Sequence, residues 1–401
     1  MAHPRPARGC YGAAVSHDPT SLTTPDDVTA STDPGGSVDT VAAGAPPAVV
    51  GPWLAEHLGD PAWLTCSLSP IGDGRSNLTF AVTSAAGSVV LRRPPLGSVA
   101  ATAHDMGREQ RVLTALQPTA VPVPKVLAAE TDGDVVGAPF YIMELVDGVV
   151  PPGSRELPWV GTPEQRWAAG VATIDVLADL HAIDPAAVGL GEFGRPAGFM
   201  ARQVRRWGTQ WQTWREAFST ASGDGTGADR PELTRLGDRL RAAVPDSAAV
   251  SVVHGDYRLE NLIFDRSEPT RVRAVLDWEM STLGDPLADL GLLLIYWHQA
   301  QERPPWSAAQ YLPAASSAPG FPTRNQVVAR YAERRGLDAD ALAEQVQFYV
   351  GFGAFKLAVV LAGVVARASA GAADARTGRG LSGSLDPLVA LGHHVLDNGL
   401  D

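Results

Sequence analysis

The chain has 401 residues, of which 45% are hydrophobic, so its length and apolar content are sufficient for two lobes or domains with real cores. Its formal net charge of -12 argues against a nucleic-acid-binding protein, because nucleic-acid affinity depends on neutralising phosphates with Lys and Arg. Only two cysteines, Cys10 and Cys66, are present, which excludes a disulfide framework and a cysteine-based metal site.

No secretory signal is recognisable in the first residues, and we therefore expect a cytoplasmic protein. The most apolar stretch, residues 357–366, is much shorter than the roughly 20 residues that span a bilayer. It predicts a buried helix and no membrane partner. No feature of the sequence indicates the oligomeric state.

The N-terminal part of the chain begins with a segment of low hydrophobicity. Residues 1–47 are rich in Pro, Gly, Ser, Thr and Asp, which is typical of a disordered tail. Residues 48–58 have helical spacing and precede Gly59, which suits a helix C-terminus. Three strands are predicted next, over residues 64–71, 78–83 and 88–92.

A helix over residues 100–116 and strands over residues 125–131 and 139–146 complete this part. The pattern predicts a small five-stranded antiparallel sheet with an inserted helix, in an N-terminal lobe of residues 48–147. From residue 148 to residue 401 the pattern is mainly helical, and its first clear helix begins at the capping box Thr162 to Gln165 and ends near His181. The fold class is α+β.

Within the helical part, residues 251–253, 261–264 and 272–276 are short β-prone runs that flank polar loops. The closing helices are predicted over residues 324–334, 341–348 and 353–367. Asp285 and Pro286 suit the start of a further helix as its N-cap and first residue.

The loops between the β-prone runs carry the residues that indicate chemistry. His254, Asp256 and Asn261 form the pattern H-x-D-x4-N, and Asp277 follows the next apolar run. Phosphoryl transfer requires such a set, because its transition state is stabilised mainly by positioning and by charge neutralisation with Mg²⁺. Asp256 suits the carboxylate that faces the acceptor hydroxyl, while Asn261 and Asp277 suit oxygen ligands of Mg²⁺. We expect His254 to brace the loop.

The run from His254 to Asn261, with Asp277-Trp278-Glu279 and the run from Gly284 to Leu290, resembles the aminoglycoside phosphotransferase family, whose members are related to protein kinases. The resemblance extends from about residue 49 to the C-terminus. It implies a two-lobed protein-kinase-like fold and the cofactors ATP and Mg²⁺. The branch that it resembles most includes kinase domains fused to, or encoded near, acyl-CoA dehydrogenases, some of which phosphorylate 4-hydroxyacyl-CoA. By the same resemblance, Asp289 either bonds the backbone of the catalytic loop or lies on a helix surface.

Residues 72–77 are predicted to form a phosphate-covering loop, in which Gly74, Ser76 and Asn77 are the candidate ligands. The alternative is a plain turn between strands. Protein kinases hold the nucleotide phosphates with a strand Lys paired to a helix Glu, but this chain has Arg92 at that position. Arg92 paired with Glu109 suits the same role, because a guanidinium is always charged and binds phosphate or carboxylate as a fork. The alternative is a solvated Arg pair, Arg92 and Arg93, at a strand end.

Residues 140–148 resemble the strand that holds adenine through backbone groups, and the predicted contacts are at Glu144 and Val146. The alternative is an ordinary edge strand.

The acceptor is indicated more weakly. Trp207, Trp211 and Trp214 recur at helical spacing, which predicts either core packing or a lid over an anionic acceptor. The arginines of a lid would be the nearby Arg202, Arg205, Arg206 and Arg215. The acceptor hypotheses are a hydroxyacyl-CoA and an antibiotic such as an aminoglycoside. A third hypothesis is a nucleotide-binding module without catalysis, if Arg92 does not replace the lysine.

Overall fold

The computed structural model describes residues 44–71, 77–96, 105–152, 157, 159–221, 230–246, 249–310, 314–369 and 381–400, with the backbone alone for residues 216–221. The predicted tail up to residue 43 lies outside the described residues. The predicted phosphate ligands Gly74 and Ser76 also lie outside them.

A five-stranded antiparallel sheet forms the N-terminal part, as predicted. Helix α1 (Pro47–Leu58) precedes it and ends at Gly59, whose φ of 72° is the left-handed conformation that terminates many helices. The strands follow the order β1-β2-β3-β5-β4 in the sheet, and helix α2 (Met106–Leu116) lies between β3 and β4 in the chain. The strand bounds are Ser67–Pro70 (β1), Leu78–Ser84 (β2), Gly87–Arg93 (β3), Val126–Glu130 (β4) and Phe140–Glu144 (β5).

Two predicted elements of this part have different starts. The first strand was expected from residue 64, but Pro61–Thr65 is a 3-10 helix, because the Asp60 carboxylate accepts the Ala62 backbone N–H and Pro61 favours a helical start. Helix α2 was expected over residues 100–116; residues 100–104 lie outside the described residues, and the described helix begins at Met106, where the Asp105 side chain caps it by accepting the Arg108 N–H at 3.0 Å. Local capping therefore sets both boundaries.

The C-terminal part is mainly helical, with two short two-stranded ribbons. Helix α3 (Pro163–Ala182) begins with the predicted capping box of Thr162 and Gln165. Strand β6 pairs with β9, and β7 pairs with β8, both antiparallel. The other bounds are α4 (Phe199–Ala221), α5 (Pro231–Ala242), β6 (Ser251–Val253), β7 (Leu262–Phe264), β8 (Val272–Val275), β9 (Thr282–Gly284), α6 (Leu287–Tyr296), α7 (Trp306–Ala309), α8 (Arg324–Arg335), α9 (Ala339–Ser369) and α10 (Leu385–Asn398).

Helix α9 corrects the prediction of two helices over residues 341–348 and 353–367. The glycines between those segments do not end the helix, because neighbouring elements need their small size. A Cβ added at Gly351 would lie 3.0 Å from Leu396 Cγ, and one at Gly353 would lie 3.0 Å from Ile295 Cγ1. Close packing thus offsets the roughly 1 kcal/mol that a glycine costs inside a helix.

This helix is also long and apolar enough to cross a bilayer, which the shorter predicted stretch did not suggest. Of its most apolar window, 94% is buried inside the protein. Such burial is typical of the central helix of a core, and α9 packs against α4, α6 and α10.

Candidate active site

The ribbon of β7 and β8 brings two of the predicted site residues together. Leu262 pairs with Val275, and the Leu276 N–H donates to the Asn261 carbonyl oxygen at 2.8 Å. Asn261 and Asp277 therefore lie at the same end of the ribbon, although they are sixteen positions apart in the chain. The predicted metal ligands thus share one edge.

Asp256 lies beside them in a buried position. Asn261 Nδ2 donates to the Asp256 carbonyl oxygen at 2.8 Å and to its Oδ2 at 3.2 Å. Arg258 Nε lies 3.5 Å from the same Oδ2, which gives the carboxylate a nearby positive charge. The Asn261 side chain holds the Asp256 carboxylate through its amide nitrogen. The amide oxygen of Asn261 therefore remains the atom suited to a metal ion.

His254 is held by hydrogen bonds from both ring nitrogens. Its Nε2 donates to the Leu276 carbonyl oxygen at 2.8 Å, and its Nδ1 accepts the Asp256 backbone N–H at 3.2 Å. A carbonyl can only accept and an N–H can only donate, so these contacts select the neutral Nε2–H tautomer. His254 therefore joins the loop to the end of β8, in the bracing position that its residue type suggested.

Asp289 anchors the same loop from helix α6. Its Oδ2 accepts the His254 N–H at 2.6 Å, and its Oδ1 accepts the Gly255 N–H at 2.8 Å. His181 Nε2 donates to Oδ2 at 3.3 Å. Burial alone would raise the pKa of Asp289, but the hydrogen bonds from His181 and Gly255 lower it below the usual value. Of the two readings left open for Asp289, the loop contact is the observed one.

Gly255 is required at this point in the chain. Its φ is 88°, and an added Cβ would lie 2.8 Å from both the Cβ and the carbonyl oxygen of Met280. The glycine between His254 and Asp256 therefore permits the left-handed turn that presents its own N–H to Asp289.

Arg92 connects the sheet to the ribbon. Its Nε donates to Glu109 Oε2 at 2.9 Å, and its Nη2 donates to Asp277 Oδ1 at 2.6 Å. Glu109 is only 2% exposed, and burial raises its pKa while the Arg92 charge opposes that rise. The pairing with Glu109 matches the expected geometry, whereas the contact with Asp277 was not predicted. Arg93 faces the other way and donates to the Pro94 carbonyl oxygen at 3.1 Å.

Glu279 is a site residue that sequence reasoning quoted without giving it a role. Its Oε2 accepts a hydrogen bond from Asn77 Nδ2 at 3.0 Å and lies 3.4 Å from Arg92 Nη2. Asn77, the described member of the predicted phosphate loop, is therefore tied to the ribbon end through a carboxylate. The signal in the sequence was the position of Glu279, two residues after the candidate metal ligand.

Asp277 has an unusual backbone conformation. Its φ of 67° is the one positive value for a non-glycine residue in the described part of the chain. Such a conformation costs about 1 to 3 kcal/mol and is concentrated at functional sites. The Asp277 side chain is 33% exposed, so its carboxylate is accessible from solvent.

The predicted adenine contacts lie at the end of β5. Glu144 is the last residue of this strand, and its backbone N–H already donates to the Lys125 carbonyl oxygen at 2.8 Å. Val146 follows two residues later, outside the strand, and the nucleotide contact of both residues remains a prediction.

The tryptophan stripe belongs to the core. Trp207, Trp211 and Trp214 are all buried, and Trp211 Nε1 donates to Thr234 Oγ1 at 2.9 Å. Of the two predictions for these tryptophans, core packing is therefore the one observed, and the three rings do not form an exposed lid. Arg206 from the same helix, however, lines a cavity beside the catalytic loop together with Lys356. Lys356 is one of the two lysines in the chain, and it directly precedes the apolar stretch of residues 357–366.

The donor set at the ribbon end fits Mg²⁺. This ion prefers oxygen ligands and is usually held by one or two carboxylates together with substrate phosphates. Asn261 and Asp277 would supply one amide and one carboxylate oxygen, and Arg92 contacts only Oδ1 of Asp277. Among the described residues no group of three or more His, Cys, Asp and Glu could hold a metal without such phosphates.

Comparison with known proteins identifies the family of this chain. The sequence pattern of the phosphotransferase enzyme family matches residues 67–333, well over half of the chain. The chain belongs to this family. Human acyl-CoA dehydrogenase family member 11 is 32% identical over 320 residues, which cover 79% of this chain and 38% of that protein. This phosphotransferase family member therefore spans little more than a third of that relative.

Solved structures agree with the family assignment. A putative aminoglycoside phosphotransferase from Ralstonia eutropha superimposes with a TM-score of 0.71 at 32% identity, covering 88% of this chain and 98% of the other. A mutant of aminoglycoside phosphotransferase APH(4)-Ia, in a ternary complex with AMP-PNP and hygromycin B, has a TM-score of 0.52 at 16% identity, covering 85% and 97%. The second similarity shows the fold alone. The α+β, two-lobed kinase-like fold predicted from the sequence is thus confirmed.

Proposed function

We propose that this family member transfers the γ-phosphoryl group of ATP, with Mg²⁺, to an alcohol group of a hydroxyacyl-CoA. Membership of the family supports a phosphotransferase that acts on a small molecule. The observation that carries the proposal is the convergence of Asp256, Asn261 and Asp277 at one end of the β7–β8 ribbon, next to the guanidinium of Arg92.

The chemistry assigned to these residues is a single displacement. The acceptor oxygen forms a bond to the γ-phosphorus while the bond from that phosphorus to the bridging oxygen of ADP breaks, and ADP leaves with the electron pair. Asp256 orients the acceptor hydroxyl and takes its proton, which then passes to solvent. The carboxylate therefore contributes both by placing the acceptor hydroxyl and by taking its proton in the loose, anionic transition state.

The nucleotide end of the site is assigned to residues from both lobes. Asn261 and Asp277 would hold Mg²⁺, which supplies positive charge to the phosphate oxygens when bound. Arg92 would contribute a second positive charge to the phosphates while Glu109 keeps it in place. Asn77, tied to Glu279, would set the position of the phosphate loop. The complex of the APH(4)-Ia mutant, which has the same fold, with the ATP analogue AMP-PNP supports ATP as the phosphate donor.

The name of a related protein supports the assignment of a hydroxyacyl-CoA as the acceptor. The human relative is named an acyl-CoA dehydrogenase family member, and the matched region covers 38% of it, so most of that protein lies outside the part resembling this chain. A phosphotransferase-like region within a protein named for acyl-CoA chemistry favours an acceptor of the acyl-CoA class.

An acceptor screen tests this assignment. Purified protein would be mixed with Mg²⁺, ATP and a panel of 4-hydroxyacyl-CoA esters and aminoglycosides, and ADP release would be followed. We expect ADP release that depends on a hydroxyacyl-CoA, together with a phosphorylated ester detected by mass spectrometry. Phosphorylation of aminoglycosides alone would instead favour an antibiotic kinase. ATP binding without any acceptor-dependent ADP release would favour a nucleotide-binding module.

A further inference from the structure

A small cavity adjoins the catalytic loop on the side of the long helix. Its volume is about 190 Å³, and its walls come from α4, α6, α9, the β6–β9 ribbon and the loop at Gly255. Sites for whole drug-sized ligands usually have volumes of about 300 to 1,000 Å³. The cavity therefore suits one end of an acceptor rather than a complete CoA ester or aminoglycoside.

Lys356 places a positive charge on the wall of this cavity. It comes from helix α9, where its neighbours in sequence are apolar, and it is only 9% exposed. Its Nζ donates to the Gly255 carbonyl oxygen at 3.2 Å, the one hydrogen bond that it makes to the described residues. An ammonium group has three N–H donors, so capacity for a ligand remains. Burial lowers the pKa of Lys356, and the nearby carboxylates of Asp256 and Asp289 partly oppose that effect.

The charged groups that line the cavity are predominantly positive. Arg206 lies on the α4 wall and is exposed, whereas Lys356 lies on the α9 wall. Asp289 is the one carboxylate among the lining residues, and its two oxygens already accept the N–H groups of His254 and Gly255. A ligand that enters therefore meets two cations and a carboxylate that is already engaged. Such a wall repels an ammonium group and attracts an oxygen acceptor or an anion.

We propose that Lys356 and Arg206 form an acceptor subsite that binds the acyl oxygen of a hydroxy acid or of its thioester and excludes acceptors that carry an amine. The proposal rests on the function proposed above, because it places that oxygen beside the loop that presents Asp256. Lys356 would bind the oxygen inside the cavity, and Arg206 would meet it from the mouth.

Matched variants and ligands test this subsite. The variants are Lys356→Met, which keeps the length of the side chain without its charge, Arg206→Gln, and Arg205→Gln as a control on the exposed face of the same helix. The ligands are a 4-hydroxyacyl-CoA, the free 4-hydroxy acid and an amino alcohol of equal length. Calorimetric titration without nucleotide gives the Kd of each ligand, and steady-state rates give KM and kcat.

We expect Lys356→Met to raise the Kd and KM of the hydroxyacyl-CoA and the hydroxy acid about tenfold or more, because a charge-assisted hydrogen bond is lost. Arg206→Gln should have a smaller effect in the same direction, and Arg205→Gln none. The Kd of Mg-ATP should stay within twofold in all three variants. Tight binding of the thioester but not of the free acid would identify the thioester as the source of the acyl oxygen.

Two outcomes separate this inference from the proposed function. If the hydroxy acids bind in a Lys356-dependent manner but no phosphate is transferred, the subsite stands and the phosphotransferase reaction fails. If phosphate is transferred while Lys356→Met and Arg206→Gln leave every acceptor Kd and KM within twofold, the subsite is overturned. Lys356 would then only brace the Gly255 loop. Preferred use of the amino alcohol would overturn it as well.

Discussion

Arg92 Nη2 lies 2.6 Å from Asp277 Oδ1, so a side chain of the five-stranded sheet contacts a residue that follows strand β8 by two positions. The same guanidinium donates through Nε to Glu109 Oε2 at 2.9 Å. A guanidinium can make both contacts at once because its donors form a planar fork, whereas the ammonium group of lysine is a compact point charge. Arg92 therefore joins helix α2, strand β3 and the ribbon in one network.

Replacing Arg92 by lysine should show whether nucleotide binding requires only the positive charge or also the planar arrangement of the guanidinium donors. A lysine keeps the positive charge but cannot hold Glu109 and Asp277 in the same way, so we expect the KM for Mg-ATP to rise about tenfold while some turnover remains. Steady-state kinetics with varied ATP measures this change. Arg273→Lys is the control, because Arg273 is exposed and pairs with Asp265 at the end of the β7–β8 ribbon opposite to Asn261 and Asp277. An unchanged KM in Arg92→Lys would mean that fork geometry is unimportant.

Removing the Arg92 side chain should cost stability as well as nucleotide use. Arg92→Ala leaves Glu109 buried without its cation, and breaking a buried ion pair in this way costs about 3 to 5 kcal/mol. Denaturant unfolding measures that loss, and we expect the double variant Arg92→Met with Glu109→Gln to recover much of it without recovering ATP use. An unaltered nucleotide KM in Arg92→Ala would contradict the phosphate role.

Asp277→Gly should lower turnover without lowering the free energy of unfolding. Glycine relieves a positive φ worth about 1 to 3 kcal/mol, which offsets the loss of a partly exposed ion pair worth about 1 kcal/mol or less. We therefore expect the free energy of unfolding to stay the same or to rise by up to about 3 kcal/mol, while turnover falls at least about a hundredfold because a metal ligand is lost. Parallel unfolding and rate measurements check both parts. Turnover near the wild-type value would exclude Asp277 as a ligand.

Asp289→Asn should weaken the catalytic loop in a pH-dependent manner. An amide places one NH₂ group against the N–H donors that now face carboxylate oxygens, and we expect a loss of about 2 to 3 kcal/mol near neutral pH. Because the folded-state pKa of Asp289 is lowered, its contribution is complete above the unfolded pKa of about 4 and is lost as the pH falls through the folded value. The stability difference between wild type and variant should therefore shrink on acidification. A difference that is constant with pH would contradict the lowered pKa.

Lys356→Arg should change the pH dependence of acceptor binding. Burial lowers the pKa of Lys356, so its positive charge is lost at a lower pH than in an ordinary lysine. The KM of a carboxylate acceptor should then rise on the alkaline side in the wild type. In Lys356→Arg it should stay flat over the same range, because a guanidinium remains charged. Parallel KM profiles for the two proteins would contradict the role of Lys356.

Much of the fold followed from local patterns in the sequence. The five strands, the capping box at Thr162 and the helix end at Gly59 were predictable because they depend on alternation, capping and glycine conformation. The long helix α9 was not, because its continuity depends on tertiary contacts at Gly351 and Gly353 that no local pattern contains.

The candidate site shows the same division. The H-x-D-x4-N pattern and Asp277 pointed to one site because their spacing matches adjacent loops. The contact of Arg92 with Asp277 joins residues far apart in the chain, and it depends on how the sheet packs against the ribbon. A lysine within an apolar helix is unusual, which makes Lys356 a weak candidate for a functional residue. Its contact with Gly255 could not be predicted, because the two residues lie far apart in the sequence.

The central claim is that Asp256 presents the acceptor hydroxyl to a phosphate held by Asn261 and Asp277. The most direct test is the rate at which labelled γ-phosphate of ATP moves to a 4-hydroxyacyl-CoA in wild type and in Asp256→Asn, with Asp238→Asn as a surface control. We expect the rate in Asp256→Asn to fall by about a hundredfold to ten-thousandfold while its Kd for Mg-ATP is unchanged and the control keeps full activity. Transfer by Asp256→Asn at the wild-type rate would contradict the account.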